Sequence, residues 1–426
     1  MEKSILKYGT VIDPSQKLHD KLDVLIIDGK VAKIEKDIEE SDAEIIDCKG
    51  LFIAPGLIDM HVHLRDPGQC YKEDIISGCE SACAGGVTAV CCMPNTKPTI
   101  DSTETINYIL EKAKNAKARV YPVCSITKGL EGKEFSDFEA LKKSGAIGAS
   151  DDGRPVKNAK MMEEAILKCK EAGILAISHC EDLDIIDGGI INKGEVSERL
   201  GVKGMDRASE ETITAREIIL AEAVDAKIHI AHVSTKGSVQ LIREAKARGA
   251  KVSCETGPHY FALTDELLLK RDADYRMNPP LRLESDRIAI LEGLKDGTID
   301  AIATDHAPHS AEEKSDFLKS PNGIVGLETS LAVSITMLCK KEGLPIDFVI
   351  DKMSCSPARL LNIQGGTLKE GATADICVFD MDKKWTVDVN KFKSKSRNSA
   401  FKGMELTGKV IYTILGGKVV YNNNKN

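Results

Sequence analysis

The feature that most constrains this chain is an alternation. Eight short apolar runs, at residues 57–63, 87–93, 119–126, 146–150, 174–179, 228–233, 251–255 and 299–304, are spaced by longer stretches with helical periodicity. Runs that are apolar throughout, rather than at every second residue, suit strands buried on both faces, as in a parallel sheet. Parallel neighbours need a crossover, normally a helix, and the intervening segments supply it. The segment from Ala159 to Gly173 carries apolar residues at helical spacing and stops on glycine, a common helix C-terminus. Eight such units predict a (β/α)8 TIM barrel, whose chemistry sits at the C-terminal ends of its strands. A doubly wound open sheet is the competing arrangement, but no G-x-G-x-x-G follows the first run.

The two ends of the chain read differently. Residues 23–34 form a β-rich pattern broken by Asp28-Gly29, a strong hairpin signal, and residues 409–421 repeat the pattern around Gly416-Gly417. We therefore expect three segments: 1–52 and 366–426, meeting in one small β-sandwich domain, and 53–365, forming the barrel. At 426 residues and 42% hydrophobic content, the chain can bury cores for both. A net charge of −8 built from interspersed signs leaves no basic stripe for nucleic acid or an anionic membrane. The N-terminus lacks a signal-like apolar core, and no apolar run approaches the roughly 20 residues that span a bilayer. Thirteen cysteines without a C-x-x-C pair read as free thiols, which fits a cytoplasmic protein.

Polar residues collect where the runs end. His61 and His63 lie two apart at the end of the first run, so an extended strand projects both to one side. Two such imidazoles can hold a metal ion, although a lone H-x-H fits half-buried histidines equally well. The fourth run ends in Asp151-Asp152, the fifth in His179, the sixth in His232 and the eighth in Asp305. Four histidines and two carboxylates exceed what one tetrahedral zinc needs, and suit a pair of ions sharing a bridging group. His229 is expected on the opposite face from His232, His19 has no companions, His306 is left out as a ligand, and His259 receives no role.

Together "DMHVHLRDPG", "CMPNT", "SDDG", "SHCED", "AHVS", "NPPLR", "TDHAPH" and "GIVGLET" resemble the class I dihydroorotases of the amidohydrolase superfamily, over nearly the whole chain. The resemblance implies a reversible cyclisation of N-carbamoyl-L-aspartate to L-dihydroorotate and water, a step of pyrimidine synthesis. It implies Zn2+, one or two ions per subunit and here two. His61, His63 and Asp305 would hold the first, and His179 and His232 the second. Many relatives bridge the ions with a carbamylated lysine at the fourth strand end; here Asp152 is expected to bridge, with Asp151 as a turn or cap residue. Asp305 would also shuttle the proton of the activated water. Arg65, Asn95 and His309 resemble contacts to the substrate carboxylate, with His63 nearby. Asn278 and the backbone at Asn322 and Gly323 resemble those that hold the ring. The family also implies a homodimer and is compatible with a complex with a transcarbamoylase.

Two other readings compete. An allantoinase or hydantoinase would keep the metal histidines, but generally carries the strand-4 lysine and has less need of Arg65. A catalytically silent structural homologue would have lost ligands, and every matched position is retained.

Overall fold

The computed structural model describes residues 2–425. Its centre is an eight-stranded parallel sheet whose strands we number β1 to β8: Leu57–Val62, Val87–Cys92, Arg119–Cys124, Gly148–Ala149, Leu175–Ser178, Ile228–Ile230, Val252–Thr256 and Ala301–Ile302. Consecutive strands pair in order, and all eight fall within the expected runs or within a residue of them. The ring closes between β8 and β1 without a regular ladder. The Asp59 carboxylate accepts from the Thr304 N–H at 3.1 Å, and His63 N donates to His306 O at 2.8 Å. One backbone bridge at Val62 and His306 and the Asp59 side chain thus do what a full strand pair does elsewhere.

Ile58, Met60, Ala89, Cys91, Val123, Ile177, Ala231 and Ala301 fill the barrel, and Ala358 and Leu361 join the same cluster. Alanine and cysteine suit this narrow interior, and in such barrels the chemistry sits at the C-terminal ends of the strands. Outside, helices follow the strands, capped by local sequence. Asp74 and Ser77 form a capping box for Ile75–Ala84, and Asn158 caps Ala159–Ala172, which ends on Gly173 at φ 69°.

Both chain ends build the flanking sheets. Strands Lys3–Lys7, Asp23–Ile27, Lys30–Glu35 and Glu44–Asp47 form one sheet. Thr10–Asp13, Leu18–Lys21, Phe52–Pro55, Ile376–Thr386, Glu405–Leu415 and Lys418–Asn422 form the other. A shared core including Leu6, Val24, Ile53, Ile376 and Ile414 joins them as a sandwich. Asp28-Gly29 and Gly416-Gly417 make the expected turns, all four residues having positive φ. One part of the C-terminal segment behaves unexpectedly. Between its two long strands, residues 394–398 leave the sandwich and lie against the barrel mouth, where Ser396 Oγ donates to Lys72 O at 2.8 Å. All thirteen cysteines are free and twelve are buried.

Candidate active site

At the C-terminal ends of the strands, two groups of ligand atoms converge: His61, His63 and Asp152, and Asp152, His179 and His232. Asp152 belongs to both. Its Oδ1 lies 3.4 Å from His61 Nε2, 3.5 Å from His179 Nδ1 and 3.8 Å from His232 Nε2, while its Oδ2 lies 3.6 Å from His63 Nε2. Asp305 Oδ1 approaches His63 Nε2 at 3.0 Å and His61 Nε2 at 3.6 Å. Zinc–nitrogen bonds near 2.0–2.1 Å in a tetrahedron put neighbouring donors about 3.3 Å apart, close to these spacings. His61 Nε2 and Asp152 Oδ1 are buried and find no hydrogen-bond partner in the protein. Buried polar atoms left this way call for another partner, and these point at one another's centre. The donor set of imidazoles and carboxylates therefore fits two divalent ions.

The neighbouring carboxylate is spoken for. Asp151 accepts from the N–H groups of Ile126 and Thr127 at 2.7 and 3.0 Å and from the Thr127 hydroxyl, facing away from the cluster. Burial would raise the Asp152 carboxyl, but His61, His179 and His232 around it hold it well below the usual carboxylate range.

Alternation along the strands places only some of these groups. His232, Asp305 and Arg65 have φ of 35°, 48° and 59°. Positive φ is uncommon outside glycine and costs of order 1–3 kcal/mol, so such residues persist where the surroundings impose them. Arg65 therefore does not reach the site by continuation of β1, which ends at Val62; a left-handed turn aims it. The same effect corrects the placement of His229. It lies not on the outer face but among the inward-facing groups, bonding Ser253 Oγ at 2.9 Å and the buried Glu255. His232, turned by its φ, no longer keeps the strand's alternation, so counting residues from it misplaces His229. His306 bonds Glu73 at 3.4 Å and stays out of the ligand set; His19 pairs with Asp347 at 2.7 Å, far from it in the sandwich sheet.

A cavity of about 220 Å³ opens above the ligands, lined by His63, Arg65, Asn95, Asp152, Gly153, His179, His232, Asn278, Asp305, Ala307, His309, Asn322 and Gly323. Of the residues expected at the site, only His61 lies beneath it. Several have partners that refine the expected roles. Asn95 Oδ1 accepts from His63 Nδ1 at 2.8 Å and Asn95 Nδ2 donates to Asp152 Oδ2 at 3.1 Å, so Asn95 orients two ligands. Asn278 donates to Glu181 Oε1 at 3.0 Å. Gly323 has both backbone groups engaged, its N–H with Arg276 O at 2.9 Å and its carbonyl with Asn398 Nδ2 at 3.0 Å and Lys314 Nζ at 3.2 Å. A Cβ there would meet Ala307 O at 2.7 Å and His309 Cδ2 at 2.9 Å, which is why the position takes glycine. The Asn322 side-chain oxygen is buried without a partner.

Sequence reasoning missed three residues. Glu181 accepts from His179 Nε2 at 2.9 Å, which turns Nδ1 toward Asp152 and His232. Glu255 holds the His232 N–H at 2.8 Å and lies 3.4 Å from His61 Nδ1. Asn398 accepts from His309 N and donates to Ala307 O, both at 3.1 Å, as well as to Gly323 O. Glu181 follows His179 by two residues and was legible in principle; the other two come from distant segments.

Comparison with known proteins agrees with this geometry. The "Dihydro-orotase-like" family description matches residues 50–238 and the "Amidohydrolase family" description residues 158–421. A dihydroorotase of Geobacter metallireducens is 52% identical over 421 residues, covering 98% of this chain and 99% of that protein. The chain belongs to the dihydroorotase family. Another family member, from Acetivibrio thermocellus, is 50% identical over 98% of both chains. Among solved structures, the L-hydantoinase of Arthrobacter aurescens superposes with a TM-score of 0.88 at 27% identity, covering 99% of this chain and 96% of that one. A dihydropyrimidinase from Brevibacillus agri gives 0.87 at 26%, covering 99% and 95%. The barrel is thus shared with hydantoinases, while the full-length sequence likeness is to dihydroorotases. Among the described residues, no helix is long and apolar enough to cross a membrane.

Proposed function

We propose that the protein is a zinc-dependent dihydroorotase, interconverting N-carbamoyl-L-aspartate and L-dihydroorotate. One observation carries the reading beyond a general cyclic amidohydrolase: the buried Arg65 and His309 line the same cavity as the cluster organised by Asp152. A guanidinium fork suits a carboxylate, which dihydroorotate has on its ring and hydantoin and allantoin lack.

His61, His63 and Asp305 would hold one ion, His179 and His232 the other, and Asp152 both. When bound, such a pair polarises the scissile carbonyl and makes water nucleophilic at neutral pH. The chain supplies the rest. Arg65, fixed by donation of its Nε to Pro308 O at 3.2 Å, orients the ring by its carboxylate. Asp305, buried and held below the usual carboxylate range against the pull of burial by His63 and His61, takes the proton from the attacking water. It then returns that proton to the ring nitrogen as the amide breaks. In the reverse direction it removes a proton from the carbamoyl nitrogen as this attacks the side-chain carboxyl group.

The second reading, a hydantoinase, is favoured only by the structural neighbours. The test is one assay panel on dihydroorotate, hydantoin and allantoin, after chelation and after restoring Zn2+. Turnover of dihydroorotate that chelation abolishes and zinc restores is expected; turnover of hydantoin or allantoin in its place overturns the proposal.

A further inference from the structure

Lys72 lies behind Arg65 and His309, next to the cavity, and touches neither the ligand group nor the cavity. It is buried at 6% exposure, and burial and the nearby Arg65 both lower its pKa while Glu313 raises it. Its Nζ lies 3.2 Å from His309 Nδ1 and 2.8 Å from Glu313 Oε1. Its backbone is tied down as well, since Ser396 from the 394–398 segment donates to its carbonyl.

These contacts decide which nitrogen of His309 carries the proton. Burial, with the cationic Arg65 and Lys72 beside it, disfavours the protonated imidazole, so His309 is neutral and has a single N–H. An ammonium can only donate, so Nδ1 must present its lone pair to Lys72. Nε2 lies 2.9 Å from Asn322 O, a carbonyl that can only accept, and must therefore carry the hydrogen. The 3.3 Å approach of Arg65 to Nε2 is then a contact between two donors rather than a bond, and leaves the guanidinium free for another acceptor. Glu313 Oε2, however, lies 3.6 Å from Nδ1 and would draw the proton to that side if Lys72 were not the nearer group.

We propose that Lys72 is a positioning residue that fixes His309 as the Nε2–H tautomer, so that an N–H and not a lone pair is offered toward the substrate carboxylate beside Arg65. The role rests on the dihydroorotase reading only for its consequence; the tautomer itself is independent of what is turned over. Asn322 O accepts this N–H and would yield it to an entering carboxylate. A lone pair in that place would oppose the carboxylate instead of binding it.

The experiment compares Lys72→Met and Lys72→Arg in the zinc-loaded full chain. Proton–nitrogen correlation spectra of the imidazoles, with the His309 signals assigned by their disappearance in His309→Asn, report the tautomer directly. The expected result is Nε2–H in the wild type and in Lys72→Arg, and Nδ1–H in Lys72→Met. The KM for dihydroorotate should rise about tenfold or more in Lys72→Met, as for loss of a hydrogen bond to a charged group, with a smaller change in kcat and recovery in Lys72→Arg. A His309 that stays Nε2–H in Lys72→Met overturns the proposal, as does a KM unchanged while the tautomer shifts. Equal losses in kcat and kcat/KM with a lowered melting temperature assign Lys72 to packing alone and overturn it too. If dihydroorotate is not turned over by the wild type, the function fails while the spectra still decide the tautomer.

Discussion

Glu181 offers a graded test of how the proposed second metal position is built. Its carboxylate accepts two hydrogen bonds, Oε2 from His179 Nε2 at 2.9 Å and Oε1 from Asn278 Nδ2 at 3.0 Å. Glu181→Gln keeps the shape but has one acceptor. With its oxygen toward His179, its amide nitrogen faces Asn278, which can answer by turning its own amide. Only the charge on the bond to His179 is then lost. Glu181→Ala strands both donors in a buried place. Removing such a partner of a ligating histidine costs 10- to 100-fold in metal affinity, or about 1.4–2.7 kcal/mol. Glutamine belongs at the lower end of that range and alanine at the upper. Zinc release from the purified protein into a chromophoric chelator should show one of two ions loosened by about tenfold in the first variant and about a hundredfold in the second. The other proposed ion, assigned to His61, His63 and Asp305, should change little. If both variants release zinc like the wild type, or if glutamine proves as damaging as alanine, the account of Glu181 is wrong.

Three further outcomes follow from the same geometry. Asp305→Asn keeps a side-chain oxygen near His63 but cannot take up a proton at neutral pH; most zinc should remain and kcat should fall by about 10²-fold or more, measured by dihydroorotate hydrolysis with metal analysis alongside. Arg65→Lys replaces a fork with a point donor, and the KM for dihydroorotate should rise by roughly 10- to 100-fold with kcat less affected, read from initial rates. Glu328 supplies a pH test: burial raises its carboxyl to about 7, only partly offset by Ser394, Ser81 and Lys393, so the folded state binds a proton that the unfolded chain has already lost. Stability from this group is therefore present at acid pH and is lost as pH rises through about 7. Glu328→Gln keeps the oxygen that accepts from Ser81 and from the Lys393 and Ser394 N–H groups, and should stabilise the protein by up to about 3 kcal/mol at pH 8 and by less than about 1 kcal/mol at pH 5, by denaturant unfolding.

The barrel was legible because its determinants are local. Eight apolar runs separated by helical spacing admit few arrangements, and glycines at Gly29, Gly173 and Gly416 mark turns whose positive φ they tolerate. The ligand types were legible for a related reason: a barrel gathers strand ends, so residues at those ends meet whatever their separation in sequence. What sequence could not supply is the direction of each side chain after a strand stops. Alternation holds only while the backbone is extended, and Arg65, His232 and Asp305 sit where it is not. That is why residue counting from His232 puts His229 on the wrong face, and why the direction of Arg65 could not be read from β1. Nor could sequence show that Glu255 braces His61 and His232, or that Asn398 and Ser396 cross from the C-terminal segment to hold His309 and Lys72. Those contacts join residues up to 324 positions apart, and no local pattern encodes them; only packing the segment against the barrel mouth, which buries and pairs their polar groups, brings them together.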